Sequence, residues 1–127
     1  MHGKWSEPTL NLLRVMTGFV FMPHGAQKLF GVLGVEADPL LSLQGLAGVL
    51  EFFGGFLIIV GLFTRPLAFV LSGEMAAAYW MVHGTNAFLP IENRGELSTM
   101  LCFVCLFLSA NGGGNFSVEG WLRRRKA

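Results

Sequence analysis

The chain has 127 residues, 53% of them hydrophobic and 13% charged, with a formal net charge of +1. Soluble domains carry about 25% charged residues, and a chain this short has too little interior to hide so much apolar surface. The composition therefore points to a single membrane domain over residues 1–127, in competition with a soluble all-α oligomer whose interfaces are very apolar. It also excludes a disulfide framework, since there are only two cysteines.

Four apolar segments follow in chain order, and the expected fold is all-α: an integral membrane four-helix antiparallel bundle. The first helix, about 8–30, opens on Ser6-Glu7-Pro8, a capping serine with an early proline. At about 1.5 Å per residue it extends about 34 Å, enough to cross a bilayer core. It carries Arg14, Pro23 and Lys28 and no clean cleavage site, which argues against a cleaved signal peptide. The second helix, about 39–63, starts at the cap-plus-proline signal Asp38-Pro39. Thr64-Arg65 reads as a tight turn into the third, about 66–84, so these two form an antiparallel hairpin. The fourth, about 95–111, stops at Gly112-Gly113-Gly114. Gly31–Asp38 and Thr85–Arg94 read as loops.

Residues 115–127 read as a basic tail. Trp121 suits a membrane interface, and Arg123-Arg124-Arg125-Lys126 suits an anionic membrane face better than nucleic acid. Four spans put both termini on one side, together with Lys4, Arg65 and the tail cations. The positive-inside rule makes that side cytoplasmic.

Acids inside apolar helices carry the functional signal. Glu51 and Glu74 lie within the second and third segments, and Glu96 opens the fourth. A carboxylate in hydrocarbon is expensive, so each is expected to face the bundle interior and to have a partner. The partners at hand are Arg14 and Lys28. Helical periodicity puts Arg14, Gly18, Phe21, Gly25 and Lys28 on one stripe, and Gln44, Glu51, Gly55 and Ile58 on another. It groups Glu74 with Ala78 and Met81, and Glu96 with Met100, Phe103 and Phe107. Depth along the helices then predicts an inner pair, Arg14 with Glu74, and an outer group of Lys28, Glu96 and Glu51. These five residues form the candidate intramembrane polar site. The competing reading is that the pairs only fix helix register.

His24 and His83 fall near the outer ends of their helices, as proton relays or as histidines bonded to loop carbonyls. No His-x-x-His or Glu-x-x-His pair supports a metal site. Cys102-Phe103-Val104-Cys105 is a CxxC, but its thiols point away from Glu96 and read as inert packing residues.

The pattern Arg14-x3-Gly18-x6-Gly25-x2-Lys28 resembles the first helix of the DoxX family. Glu51-x2-Gly54-Gly55-x5-Gly61-x2-Thr64-Arg65 resembles its second helix and turn. Glu74-Met75 followed by two alanines resembles its third helix. Asn93-x-Gly95-Glu96-Leu97 and the glycine-rich stretch through Asn115-Phe116-Ser117-Val118-Glu119 resemble its fourth helix and exit. The resemblance covers nearly the whole chain. It implies a small four-helix protein of the bacterial cytoplasmic (inner) membrane, in a family linked to quinone-coupled sulfur oxidation, to oxidative-stress complexes and to receptor assembly.

The functional expectation is a redox-linked membrane subunit that holds a quinone or similar small apolar molecule, with the acids exchanging protons and Arg14 and Lys28 tuning them. No flavin, haem or iron–sulfur motif is present, so catalytic residues are not assigned. One alternative is a non-catalytic scaffold or assembly factor that docks other membrane subunits or copies of itself. Another is a small-solute transporter working as an oligomer.

Overall fold

The computed structural model describes residues 3–32, 34 and 36–126. Positions 33 and 35 of the expected first loop, and 127 of the expected tail, lie outside them. The chain is all-helical, with no strand among the described residues. Four long helices carry the architecture: α1 (Ser6–Phe30), α2 (Leu43–Val60), α3 (Thr64–Ala78) and α5 (Glu96–Asn111). The one-turn α4 (Pro90–Asn93) and a terminal helix α6 (Val118–Lys126) complete it.

Local chemistry fixes most of the boundaries. Ser42, rather than Asp38, caps α2, with its side chain accepting from the Gly45 amide at 3.1 Å. Asp38-Pro39 instead belongs to the approach, where the Asp38 amide donates to the Lys28 carbonyl at 2.8 Å. At the other end of α2, Gly61 has φ +78°, the left-handed stop that glycine accommodates without strain. The third helix runs past Ala78 into a π-helical segment, Tyr79–His83. Such a widened turn shifts the side chains beyond it relative to a plain α-helix.

The long helices form two antiparallel pairs, α1 with α2 and α3 with α5, and contact between the pairs is sparser. The expected α2–α3 hairpin exists as a connection, but α2 packs chiefly on α1. Glycine makes that pairing close. A Cβ on Gly18 would meet Ile59 Cγ1 at 2.6 Å, and one on Gly25 would meet Phe52 Cα at 2.7 Å and the Gly48 carbonyl oxygen at 2.8 Å. Small residues that let backbones touch are the usual device of helix pairs in lipid.

The buried face of α1 is Arg14, Thr17, Gly18, Phe21 and Gly25, and that of α2 includes Glu51, Gly55 and Ile58, as periodicity predicts. The prediction fails on the third helix, where Leu71, Ser72 and Met75 are buried and Met81 is exposed, and it fails on α5. Its buried residues are Leu101, Cys105 and Leu108, whereas Met100, Phe103 and Phe107 are exposed. The expected inward face is thus the outer one. A charge at a helix start can be satisfied there by solvent and the helix dipole, so Glu96 does not have to mark the packing face. Cys105 consequently lies in the core, and both cysteines are free thiols.

The expected tail is also corrected in part, because Val118–Lys126 is helical. It docks back on the bundle. The Glu119 amide donates to the Gly61 carbonyl at 3.1 Å, and Glu119 Oε1 accepts from the Thr64 amide at 3.1 Å, capping α3 from a distance of 55 residues along the chain. By length and hydropathy only α2, at 18 residues and mean hydropathy 1.9, qualifies as a candidate span among the described residues; α5 is apolar but shorter.

Candidate functional site

The two helix pairs share an apolar core, and polar side chains gather in a cavity beside it. This cavity of about 320 Å³ is lined from α1 by Phe21, His24 and Lys28, and from α2 by Gln44 and Glu51. Met75, Ala78, Val82 and His83 come from the third helix and its π segment, Leu97, Ser98 and Leu101 from α5, and Arg94 closes the set. All four long helices therefore contribute to it.

The central interaction joins α1 to α2. Lys28 Nζ donates to Glu51 Oε2 at 2.6 Å, with Glu51 buried and Lys28 about a quarter exposed on the cavity side. Side chains lean toward the N-terminus of their helix. Lys28, near the end of α1, therefore reaches back to the middle of α2.

Glu74 approaches the same pair from α3. It lies within hydrogen-bonding reach of the Glu51 carboxyl and in the field of Lys28. Its Oε1 is buried and has no hydrogen-bond partner among the described residues. A carboxylate can only accept, so a hydrogen bond between the two acids requires a proton held on one of them. Glu74 faces a smaller space of about 100 Å³ whose wall shares Lys28, Gln44, Ala78 and Val82 with the larger cavity. Lys28 and the two acids thus stand between two adjoining spaces.

Two expected pairings are corrected. Arg14 does not meet Glu74. It is 2% exposed, and its Nη1 donates to Asn11 Oδ1 at 2.9 Å and the Gly113 carbonyl at 2.6 Å. Nη2 donates to the carbonyls of Phe116, at 2.8 Å, and Ile59, at 3.3 Å. The lean that brings Lys28 inward carries Arg14 toward the end of the bundle, where it anchors the glycine-rich segment. Glu96 does not join Lys28 either: it is exposed at the first turn of α5, outside the cavity lining. Glu74 takes the place beside Lys28 and Glu51 that depth alone assigned to Glu96.

The histidines converge. His24 and His83 both line the cavity, although angles along an unbroken α-helix set His83 opposite Glu74. His83 Nδ1 lies 3.1 Å from the Asn93 carbonyl oxygen. That oxygen can only accept, so Nδ1 carries the hydrogen and Nε2 remains for other partners.

Asn93 is a residue the sequence reading did not single out as functional. It is 3% exposed, and it ties the cavity rim together. Its Nδ2 donates to Tyr79 Oη and to the Ala87 carbonyl, each at 3.0 Å, and its Oδ1 accepts from the Gly95 amide at 2.8 Å. Next to it Arg94, with φ +61°, takes a left-handed conformation unusual outside glycine, and it lines the cavity. The Asn93-x-Gly95 spacing was the available signal.

Among the described residues no group of three or more His, Cys, Asp or Glu is placed to hold a metal. The arrangement suits instead a small molecule with hydrogen-bond acceptors. Lys28, Arg94, Gln44 and His24 can donate, His83 Nε2 can accept, and the acid pair can exchange a proton.

An all-helical chain with buried charges in its core and an apolar exterior is the build of a small membrane protein. The DoxX family model matches residues 9–84, and the chain belongs to that family. It is 39% identical over 126 residues to an "Uncharacterized protein" of Haemophilus influenzae, an alignment covering 91% of this chain and 92% of the relative. It is 28% identical over 140 residues to "Uncharacterized membrane protein Rv3486" of Mycobacterium tuberculosis, covering 93% of this chain and 83% of that protein. No solved structure matches.

Proposed function

We propose that this protein crosses the bacterial cytoplasmic membrane four times, through α1, α2, α3 and α5, with both termini in the cytoplasm. In that membrane it acts as a redox-linked subunit whose central cavity binds a quinone head group or a like carbonyl compound. Support for the membrane reading comes from the exterior. Leu12 and Phe19 of α1, Phe53 and Phe56 of α2, Phe69 of α3 and Phe103 of α5 are all more than half exposed. The interior holds, beside the apolar core of Phe21, Ile58, Leu71 and Leu108, the polar residues Arg14, Thr17, Glu51, Thr64 and Ser72. Large apolar side chains exposed on every long helix suit lipid contact.

The observation carrying the site is the Lys28–Glu51 ion pair with the Glu74 carboxyl beside it, open to a cavity large enough for one ring. Intramembrane ionisable groups that pair around a cavity mark ligand or proton paths. Lys28, Arg94 and His24 would hold acceptor oxygens, and Glu51 with Glu74 would give or take a proton next to them. A bound quinone would supply the electron-accepting chemistry.

The test is titration of a short-chain quinone into the purified protein, read by tryptophan fluorescence, for wild type, Glu51→Gln and Lys28→Met. Saturable binding that weakens about tenfold or more in both variants, the loss expected for a charge-assisted contact, is the expected result. Equal binding in all three overturns the reading.

A second reading, a non-catalytic assembly factor, is favoured by one feature of α3. A Cβ at Gly73 would meet nothing within 4 Å, and Ala77, one turn on, is also exposed. Such a small-residue face can seat a partner helix. Loss of a copurifying membrane protein on Gly73→Leu, with quinone binding intact, would favour it.

A further inference from the structure

At the end of the bundle where α6 docks, a cleft of about 410 Å³ has a lining of two kinds. Val15, Ile59, Val60 and Val118 supply apolar lining, and Arg14, Trp121 and Arg124 line the cleft as well. The Arg14 terminal nitrogens are engaged by Asn11 and three carbonyls. Its Nε is buried with no hydrogen-bond partner among the described residues. Buried donors are rarely left unpaired, and this one belongs to a cleft-lining side chain that is 98% buried, its exposure being 2%.

Arg124 bounds the same cleft. It donates once, from Nη1 to the Asn115 carbonyl at 2.9 Å, and among the described residues it forms no ion pair. Arg125 lies over the Trp121 ring at 5.1 Å, which adds positive charge at the rim. The first turn of the nine-residue α6 borders the cleft too, and the positive end of a helix dipole favours an anion. The acid whose charge acts on Arg14, Glu119, is bonded to the Thr64 amide.

We infer that this cleft binds the phosphate of an anionic membrane lipid, with Arg124 and Arg14 Nε as donors and an acyl chain along Val15, Ile59 and Val60. A phosphate matches the planar donors of arginine, and an amphiphile matches a lining that is both apolar and charged. The site is separate from the central cavity and independent of the redox reading, but it rests on the chain lying in a bilayer. Flotation with phosphatidylcholine vesicles checks that premise alone.

The experiment titrates phosphatidylglycerol, phosphatidylcholine and inorganic phosphate against the protein in neutral detergent, with native mass spectrometry as readout. Phosphatidylglycerol is expected to bind about tenfold more tightly than phosphatidylcholine, and Arg124→Gln to erase most of that difference, as loss of a charged hydrogen bond does. Arg123→Gln removes the same charge from a different face of α6, where Arg123 lines another cleft with Glu7 and Arg65. It is expected to change the preference less than about twofold. Trp121→Ala, which leaves every charge in place, should weaken both lipids together. Equal losses in the two arginine variants, no preference between the lipids, or displacement of lipid by equimolar inorganic phosphate would each overturn the site.

Discussion

Lys28 Nζ and Glu51 Oε2 meet at 2.6 Å across the α1–α2 interface, and the carboxyl of Glu74 completes the group from the opposite helix pair. One cation stands beside two acids, and removing it leaves the buried Glu51 without its partner. Structural and ligand-binding roles can be separated at this point.

Lys28→Met should destabilise the protein by about 3 kcal/mol, because it strands the buried Glu51 carboxylate. Adding Glu51→Leu should restore most of the loss, since a well-packed apolar pair often equals a buried ion pair. Thermal unfolding in detergent measures both. If the double variant regains stability but not quinone binding, the pair acts on ligand rather than on register.

Gly25→Ala should cost about 1–3 kcal/mol through overpacking, because the new methyl would press on the backbone of Phe52 and Gly48. Gly73→Ala is the opposite case, with open space around the added methyl. It should stabilise α3 by about 0.5–1 kcal/mol. Melting temperatures moving the same way for both variants would contradict the α1–α2 contact.

Arg14→Lys should release the C-terminal segment. A single ammonium cannot serve one side-chain oxygen and three carbonyls spread over residues 11, 59, 113 and 116. Hydrogen exchange at the amides of Phe116 and Glu119, which bond to Asn11 and Gly61, should speed up more than about tenfold, while the α3–α5 amides keep their protection. Gly113→Ala should behave similarly, since its methyl would sit 2.7 Å from Arg14 Cδ.

The double variant Cys102→Ala/Cys105→Ala should keep quinone binding. Cys105 is fully buried in the core and Cys102 packs at its edge, beside Ser72, whose hydroxyl donates to the Cys102 carbonyl at 2.8 Å. The expected cost is about 1–2 kcal/mol of lost packing. Loss of binding in a folded double variant would assign the thiols a chemical role.

Periodicity read the buried stripes of α1 and α2 correctly because both carry glycines and charges on one face and large apolar groups on the other. On α5 the sequence offered one charge and a nearly uniform apolar surface, and the single acid pointed to the wrong face. The Ser42 cap lay within sight, but the proline at 39 gave a louder start signal. Helix α6 was hidden by its short length and its basic composition.

What the sequence alone determined is the class: a helical chain too apolar and too short for a soluble core, with acids and bases set into its helices at intervals that demand partners. Which partners meet was decided only in three dimensions. Side-chain lean sends Arg14 out to the glycine-rich segment and Lys28 in to Glu51. His83 ends the π segment and joins His24 in lining one cavity. The pairing of α1 with α2 and α3 with α5 brings Glu74 to Glu51 and leaves Glu96 outside. Depth along a helix is a one-dimensional quantity, whereas a buried charge is satisfied by direction and by the neighbour that packing supplies.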